Sequence, residues 1–487
     1  VDELLLAPAH EQLRRLRDGE LAAETLLEAH LARIERLNPA LNAVVALDPD
    51  GARRRARELD RAHERGDPPG PLHGLPITIK DLYDVAGLPV TCGHPRARHN
   101  VVSLDAVAVA RLRRAGAVIM GKTNVPFVGY DWQSANPVYG RTSNPWDPAR
   151  TCGGSSGGAA AAVAAGLSAF ELGSDMGGSI RVPASFCGVV GLKATEGWLD
   201  DRGHGNLPWL SSRVLRHLCS LGPVARTVRD ARLVFEVLAE APRGYEPVPP
   251  VPLERPAEVP LERRRFRWCD ALPGLPVDGE IRQAVADLAG RLERAGCTVE
   301  RAVPDIDPDE AIEVWGAING TEFGAAAPAP LRRLAWAAAG ALFGDRAWAR
   351  GMRRGLAQSP ARYFAALTRR DELVERLDRF LEGWDGWLLP VAGTVAFTHR
   401  RIGTPIEIDG RRVGYATAAG SHAALLNTLA APAVALPVAL TRGGLPIGVQ
   451  LVGRRWHDMA LLDAAEQIEE LAGGLRPPPL AAPAPPR

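Results

Sequence analysis

Two glycine-rich turns carry serines whose types and spacing could do chemistry. The first reads Gly153-Gly154-Ser155-Ser156-Gly157-Gly158, and the second reads Gly173-Ser174-Asp175-Met176-Gly177-Gly178-Ser179-Ile180-Arg181. A serine hydroxyl becomes a strong nucleophile only when a base takes its proton. Lysine occurs only at Lys80, Lys122 and Lys193, so nearly all of the 58 basic residues are arginine. Arginine keeps its proton in a protein, whereas a desolvated lysine can lose it. Lys80 closes the apolar, β-branched run Gly74-Leu75-Pro76-Ile77-Thr78-Ile79, which predicts a buried strand. That makes Lys80 the candidate general base.

The elements that must hold these groups follow from hydrophobic periodicity. Ala159–Phe170, almost all Ala, Val, Gly and Leu, predicts a buried helix between the two serine turns. Residues 1–66 predict helices packed on a core, residues 67–240 that core with the reactive residues, and residues 241–475 the remainder of the same α/β domain. Within it, residues 310–380 predict a helical insertion forming the substrate pocket, and residues 476–487, rich in Pro and Ala, a flexible tail. Strands are expected at Ala117–Met120, Cys187–Lys193, Phe266–Cys269, Trp387–Pro390, Ala433–Leu440 and Ile447–Val452. Strands alternating with helices imply one large α/β domain, its mixed central sheet covered by helices on both faces. The irregular residues 200–213 are expected to form a lid or wall of a pocket.

Composition narrows the function class. A net charge of +1 gives no support for nucleic acid as a partner. The longest uncharged stretch, Val413–Leu440, contains His422, Asn427, Pro432 and Pro437, so it reads as a buried helix and strand rather than a membrane span. Six cysteines without metal-ligand spacing, and no visible secretory leader, imply free thiols in the cytoplasm and no metal.

Two short patterns compete with the serine–lysine reading. Gly116–Thr123 fits the phosphate-cradling GxxxxGKT pattern, but its Ala-Val-Ile-Met interior is itself strand-like and Pro126 follows too soon for a helix. Gly153–Gly157 fits the GxSxG elbow of α/β-hydrolases, with His399, His422 and His457 downstream as triad partners. The elbow needs an apolar strand before it, and residues 144–151 read as loop.

Taken in order, GLPITIKD, GKTN, GGSSGG, GSDMGGSIRVPASFCGVVGLK, SLGPVARTVRD and GLPIGVQLVG resemble the amidase signature family of serine hydrolases over most of the chain. The resemblance implies the amidase signature fold and a Ser–cis-Ser–Lys triad. Ser179 matches the nucleophile, Ser155 the bridging serine after a cis bond from Gly154, and Lys80 the base. It places an oxyanion hole on the backbone N–H groups of Met176, Gly177, Gly178 and Ser179, with Ser156, Asp175 and Arg181 in support. Tyr130, Trp132 and Gln133 lie in a loop that the family uses near substrate, and Trp209 joins them from the lid segment.

Cys152 and Ala194 stand where the family often has proline, and Ser174 where threonine is frequent, which bears on loop rigidity. The implied activity is cleavage of a C–N bond in a small, hydrophobic or aromatic amide through an acyl-enzyme, with esters or carbamates as side substrates. No cofactor, nucleic acid or membrane is expected, and the chain is expected to be a monomer or homodimer. Three alternatives stand beside this one: the glutamine-hydrolysing subunit of a tRNA-dependent amidotransferase, a GxSxG α/β-hydrolase, and a non-catalytic binding relative.

Overall fold

The central sheet runs Thr298–Arg301, Arg265–Trp268, Gly386–Pro390, Pro446–Val452, Ala433–Leu440, Val190–Lys193, Ser220–Ala225, Glu171–Asp175. The first three strands pair in parallel and every later neighbour pairs antiparallel, so the sheet is mixed. Helices cover both faces, as the alternation of elements implied. The computed structural model describes residues 2–209, 215–240, 248–343, 345–474 and 476–482.

Burial explains the composition of the middle strands. Val434, Leu436, Val449, Leu451 and Leu192 are all enclosed, which suits near-continuous apolar runs rather than alternation. The strand that carries Lys80 is not part of this sheet. Pro76–Lys80 pairs in parallel with Val118–Thr123, which pairs antiparallel with Val44–Leu47, giving a separate sheet of three strands. Lys80 sits opposite Thr123 at its end.

Several sequence expectations need correction. The helix expected over Ala159–Phe170 is shorter, Gly157–Ala164. Gly166 adopts φ +68°, a conformation that costs glycine little, and Arg33 Nε donates to the Ala165 carbonyl at 2.7 Å. The chain then turns, and Phe170 leads into the strand Glu171–Asp175. Cys187 ends the helix Arg181–Cys187 rather than opening a strand, which begins at Val190.

Gly121-Lys122-Thr123 extends its strand instead of forming a turn, and Lys122 Nζ donates to Tyr83 O at 2.7 Å beside Asp81. The GxxxxGKT pattern is therefore no phosphate loop. The tail is anchored through its described part. Arg33 donates to Ala481 O at 2.7 Å, and Ala481 is buried, because an otherwise enclosed guanidinium needs acceptors. Residues 483–487, also assigned to that tail, and residues 210–213 of the expected lid lie outside the described residues.

Val413–Leu440 becomes the helix Tyr415–Thr428 followed by the strand Ala433–Leu440, as its interrupted apolar pattern indicated. No helix among the described residues is long and apolar enough to cross a membrane. All six cysteines are free thiols.

Candidate active site

Lys80 ends its strand facing the two serine turns, with its side chain fully buried. Its Nζ lies 2.8 Å from Ser155 Oγ, 2.8 Å from Ser156 Oγ, 3.0 Å from Ser174 Oγ and 3.2 Å from Ser174 O. No carboxylate comes within ion-pair distance of it among the described residues. Asp175 is held by Arg181, and Glu171 accepts from Thr123 Oγ1 at 2.7 Å. Burial without a countercharge disfavours the ammonium, and the Lys80 amine is pushed down to about 7.

All three lysines are buried, so scarcity alone does not single one out. Their partners do. Lys122 has Asp81 beside it, and Lys193 donates to the carbonyls of Ala431 and Ala194. Lys80 faces three hydroxyls, groups with which a neutral amine can exchange a proton.

The bond joining Gly154 to Ser155 is cis, as the resemblance implied. A side chain at Gly154 would put Cβ 2.4 Å from the Asp131 carbonyl oxygen, so the turn lies directly against the loop that carries Trp132. Gly154→Ala is expected to destabilise the protein by ~1–3 kcal/mol, since backbone must move to admit the methyl group. Thermal or urea unfolding measures this, and an unchanged midpoint would contradict the contact.

Ser179 lies next to the first turn, where Ser156 N donates to Ser179 O at 3.0 Å, and it is half-buried rather than enclosed. Its hydroxyl makes no hydrogen bond with a described residue. Four oxyanion-hole amides were expected, and one is taken. Gly178 N–H donates to Asp175 Oδ1 at 2.8 Å, because the carboxylate also caps Ile180 N–H at 3.1 Å and draws the turn around itself. The amides of Met176, Gly177 and Ser179 have no acceptor among the described residues.

Asp175 and Arg181 act on this loop from within. Arg181 Nε and Nη2 each lie 3.0 Å from the carboxylate, and the guanidinium also reaches Gln450 Oε1, Asn427 Oδ1 and Ala423 O. Burial works to raise the Asp175 carboxyl, but Arg181 holds it far below the ordinary carboxylate range.

Two indoles peg the same loop. Trp315 Nε1 donates to Met176 O at 2.7 Å, and Trp132 Nε1 donates to Gly177 O at 2.9 Å. Trp132 is thus part of the loop's frame, fitted so closely against Gly420 that a methyl there would overlap its ring. Tyr130 donates to Asn319 Oδ1 at 2.9 Å and packs on Phe323 and Phe343, putting an aromatic wall beside Met176.

Gln133 is not free to meet a ligand. Its amide nitrogen donates to Arg400 O and lies 3.1 Å from the Tyr415 hydroxyl, while its oxygen accepts from Arg400 N. Trp209 packs at a tilt against His94, with the Arg96 guanidinium over its ring, in a small cluster with Leu82, Val90 and Val125, apart from the indoles at Met176 and Gly177.

Sequence reasoning missed Trp315, Asn319 and His204 as neighbours of the site. Trp315 stood out only as an aromatic residue of the helical insertion, and His204 had no motif at all. The elbow alternative also fails. Among the described residues no strand leads directly into Gly153, and both ring nitrogens of His399 and of His422 lack hydrogen-bond partners there. Among the described residues no group of three or more His, Cys, Asp or Glu side chains could hold a metal ion.

The family model described as Amidase matches residues 25–462. The chain belongs to the amidase family. This amidase is 32% identical to an acylamidase of Rhodococcus erythropolis, over 95% of this chain and 94% of that protein. It is 34% identical to a glutamyl-tRNA(Gln) amidotransferase subunit of Anaeromyxobacter sp. (strain K), covering 94% and 95% respectively. Its fold superposes on the solved structure of 6-aminohexanoate cyclic dimer hydrolase with a TM-score of 0.81, at 26% identity over 98% of this chain and 100% of that one. Members of this amidase's family are amidase signature hydrolases that act on C–N bonds of amides.

Proposed function

We propose that this amidase hydrolyses a small amide with a hydrophobic or aromatic acyl group, using Ser179 as nucleophile, Ser155 as relay and Lys80 as base. The observation that carries the reading is a fully buried amine, pushed down to about 7, within 2.8 Å of the Ser155 hydroxyl. Neutral Lys80 accepts the Ser155 proton while Ser155 accepts that of Ser179, whose oxygen bonds to the carbonyl carbon. The oxyanion is met by the free N–H groups of Met176, Gly177 and Ser179, each such donor being worth ~3 kcal/mol in comparable sites. Ser155 then protonates the departing amine, and water releases the acid from Ser179. Esters and carbamates, which also pass through a Ser–acyl bond, are expected as side substrates. The aromatic wall of Tyr130, Phe343, Trp315 and Trp348 favours an apolar acyl group.

The test is a hydrolysis panel of acetamide, benzamide, phenylacetamide and p-nitroacetanilide, scored as acid released. Turnover of the aromatic members supports the reading. The similarity to an amidotransferase component favours a second one, and ammonia released from glutamine only when partner chains are added would select it.

The base has its own signature. Because burial lowers the Lys80 amine, its reactive neutral form prevails above pH ~7 and is lost as pH falls, so kcat/KM should drop tenfold per unit on the acid side. Lys80→Met should lower kcat by ~10²–10⁴-fold and abolish that limb. Retention of the limb in this variant would assign it to another group.

A further inference from the structure

Ser174 and His204 form an arm of the Lys80 network to which the reaction above gives no task. His204 Nε2 lies 2.8 Å from Ser174 Oγ, and that oxygen lies 3.0 Å from Lys80 Nζ. His204 is fixed on its other sides. Its ring packs on Tyr83 at 4.7 Å, its backbone N–H donates to Asp201 O at 3.0 Å, and its backbone pairs with Tyr83 in an isolated antiparallel bridge. Burial, then the nearby lysine, lower the imidazole to about 3, so the ring is neutral wherever Lys80 is.

A neutral lysine has two N–H donors and one lone pair. It can act as base only if the lone pair faces the Ser155 hydroxyl, which requires both N–H groups to find acceptors elsewhere. The carbonyl of Ser174 accepts by its nature, and Ser156 Oγ, 2.8 Å from Nζ, can accept because its own hydroxyl donates to that same carbonyl at 3.4 Å. The hydroxyl of Ser174 does not: turned toward Lys80, its own O–H would donate to the lone pair and occupy the base. Neutral imidazole offers one acceptor nitrogen, and at Nε2 that acceptor would draw the Ser174 proton away from Lys80.

We propose that His204 is a positioning residue that keeps the Ser174 hydroxyl pointed away from Lys80, so that the Lys80 lone pair stays directed at Ser155. The imidazole then carries its proton on Nδ1 and accepts from Ser174 at Nε2. Ser174 Oγ in turn accepts from Lys80, and the proton that Lys80 later takes breaks the Ser155 O–H bond and no other. This rests on Lys80 being the base.

The experiment measures kcat and KM for the best amide of the panel with His204→Phe, His204→Gln, Ser174→Ala and the double variant. Lys80→Met run alongside separates the two ideas, because wild-type turnover in Lys80→Met would remove the base itself. If Lys80→Met is inactive, His204→Phe should lower kcat by ~10–100-fold with KM within twofold. His204→Gln, which retains an acceptor, should restore most of the loss. In the Ser174→Ala background, where no hydroxyl needs orienting, His204→Phe should cost nothing further. Should His204→Phe melt early, His204→Ala gives the same comparison. Unchanged kcat in the folded variant overturns the proposal. So does an equal loss with Ser174→Ala in place, since His204 would then be acting on the fold.

Discussion

Ser179→Ala should lose amide turnover by at least ~10⁴-fold while the protein keeps its fold. The activity loss follows from removing the only atom in the proposed mechanism that bonds to the substrate carbonyl. The intact fold follows from the structure, since the Ser179 hydroxyl bonds to no described residue and the bond from Ser156 uses the Ser179 carbonyl, which alanine keeps. The expected stability change is below ~1 kcal/mol, read from urea unfolding. Acyl trapping adds a positional check. Cleavage after Arg150 and Arg181 releases one peptide containing both Ser155 and Ser179, and fragmentation then shows which serine carries the acyl group. An adduct on Ser155 would reverse the two serines' roles.

Arg181→Ala should be the most destabilising single change near the site, by ~3–5 kcal/mol. Its guanidinium is fully enclosed and satisfies Asp175, Gln450, Asn427 and the Ala423 carbonyl at once. Removing it leaves the Asp175 carboxylate buried without its ion-pair partner, while the carboxylate still caps the Gly178 and Ile180 amides. Exchanging the ion pair for apolar residues would be a different matter, because a buried pair need not add net stability. Denaturant unfolding of Arg181→Ala and of Asp175→Asn/Arg181→Met would separate the cases. The single variant should fall well below the double, and equal losses would show that the unpaired charge is not the cause. Activity should fall with stability in Arg181→Ala, because the same carboxylate shapes the turn that presents Met176, Gly177 and Ser179.

Local chemistry made much of this readable in advance. A lysine ending a β-branched run, in a chain that otherwise uses arginine, indicates a buried amine, and Pro76–Lys80 is a buried strand. Glycine pairs around serines indicate turns with close backbone approach, and Gly154 meets the Asp131 carbonyl. Periodicity and interruption placed the helix Tyr415–Thr428 and the strand after it, since both depend on neighbours within a few residues.

Other features were decided only by contacts distant in sequence. The length of the helix after the first serine turn depends on Arg33, which ends it from the N-terminal region. Lys80 differs from Lys122 and Lys193 only through the partners that the fold delivers to each. Gln133, Trp132 and Trp315 differ in role because of which carbonyls their donors reach.

The residue types and order of the motifs therefore determined the family and named the candidate reactive groups, because those depend on intrinsic chemistry and short-range geometry. Tertiary structure alone decided which amides stay free for an oxyanion, which aromatic rings frame the loop, and that His204 meets Ser174. Such contacts arise when segments far apart in the chain are buried against one another, and a buried polar atom bonds to whatever acceptor that packing brings within reach.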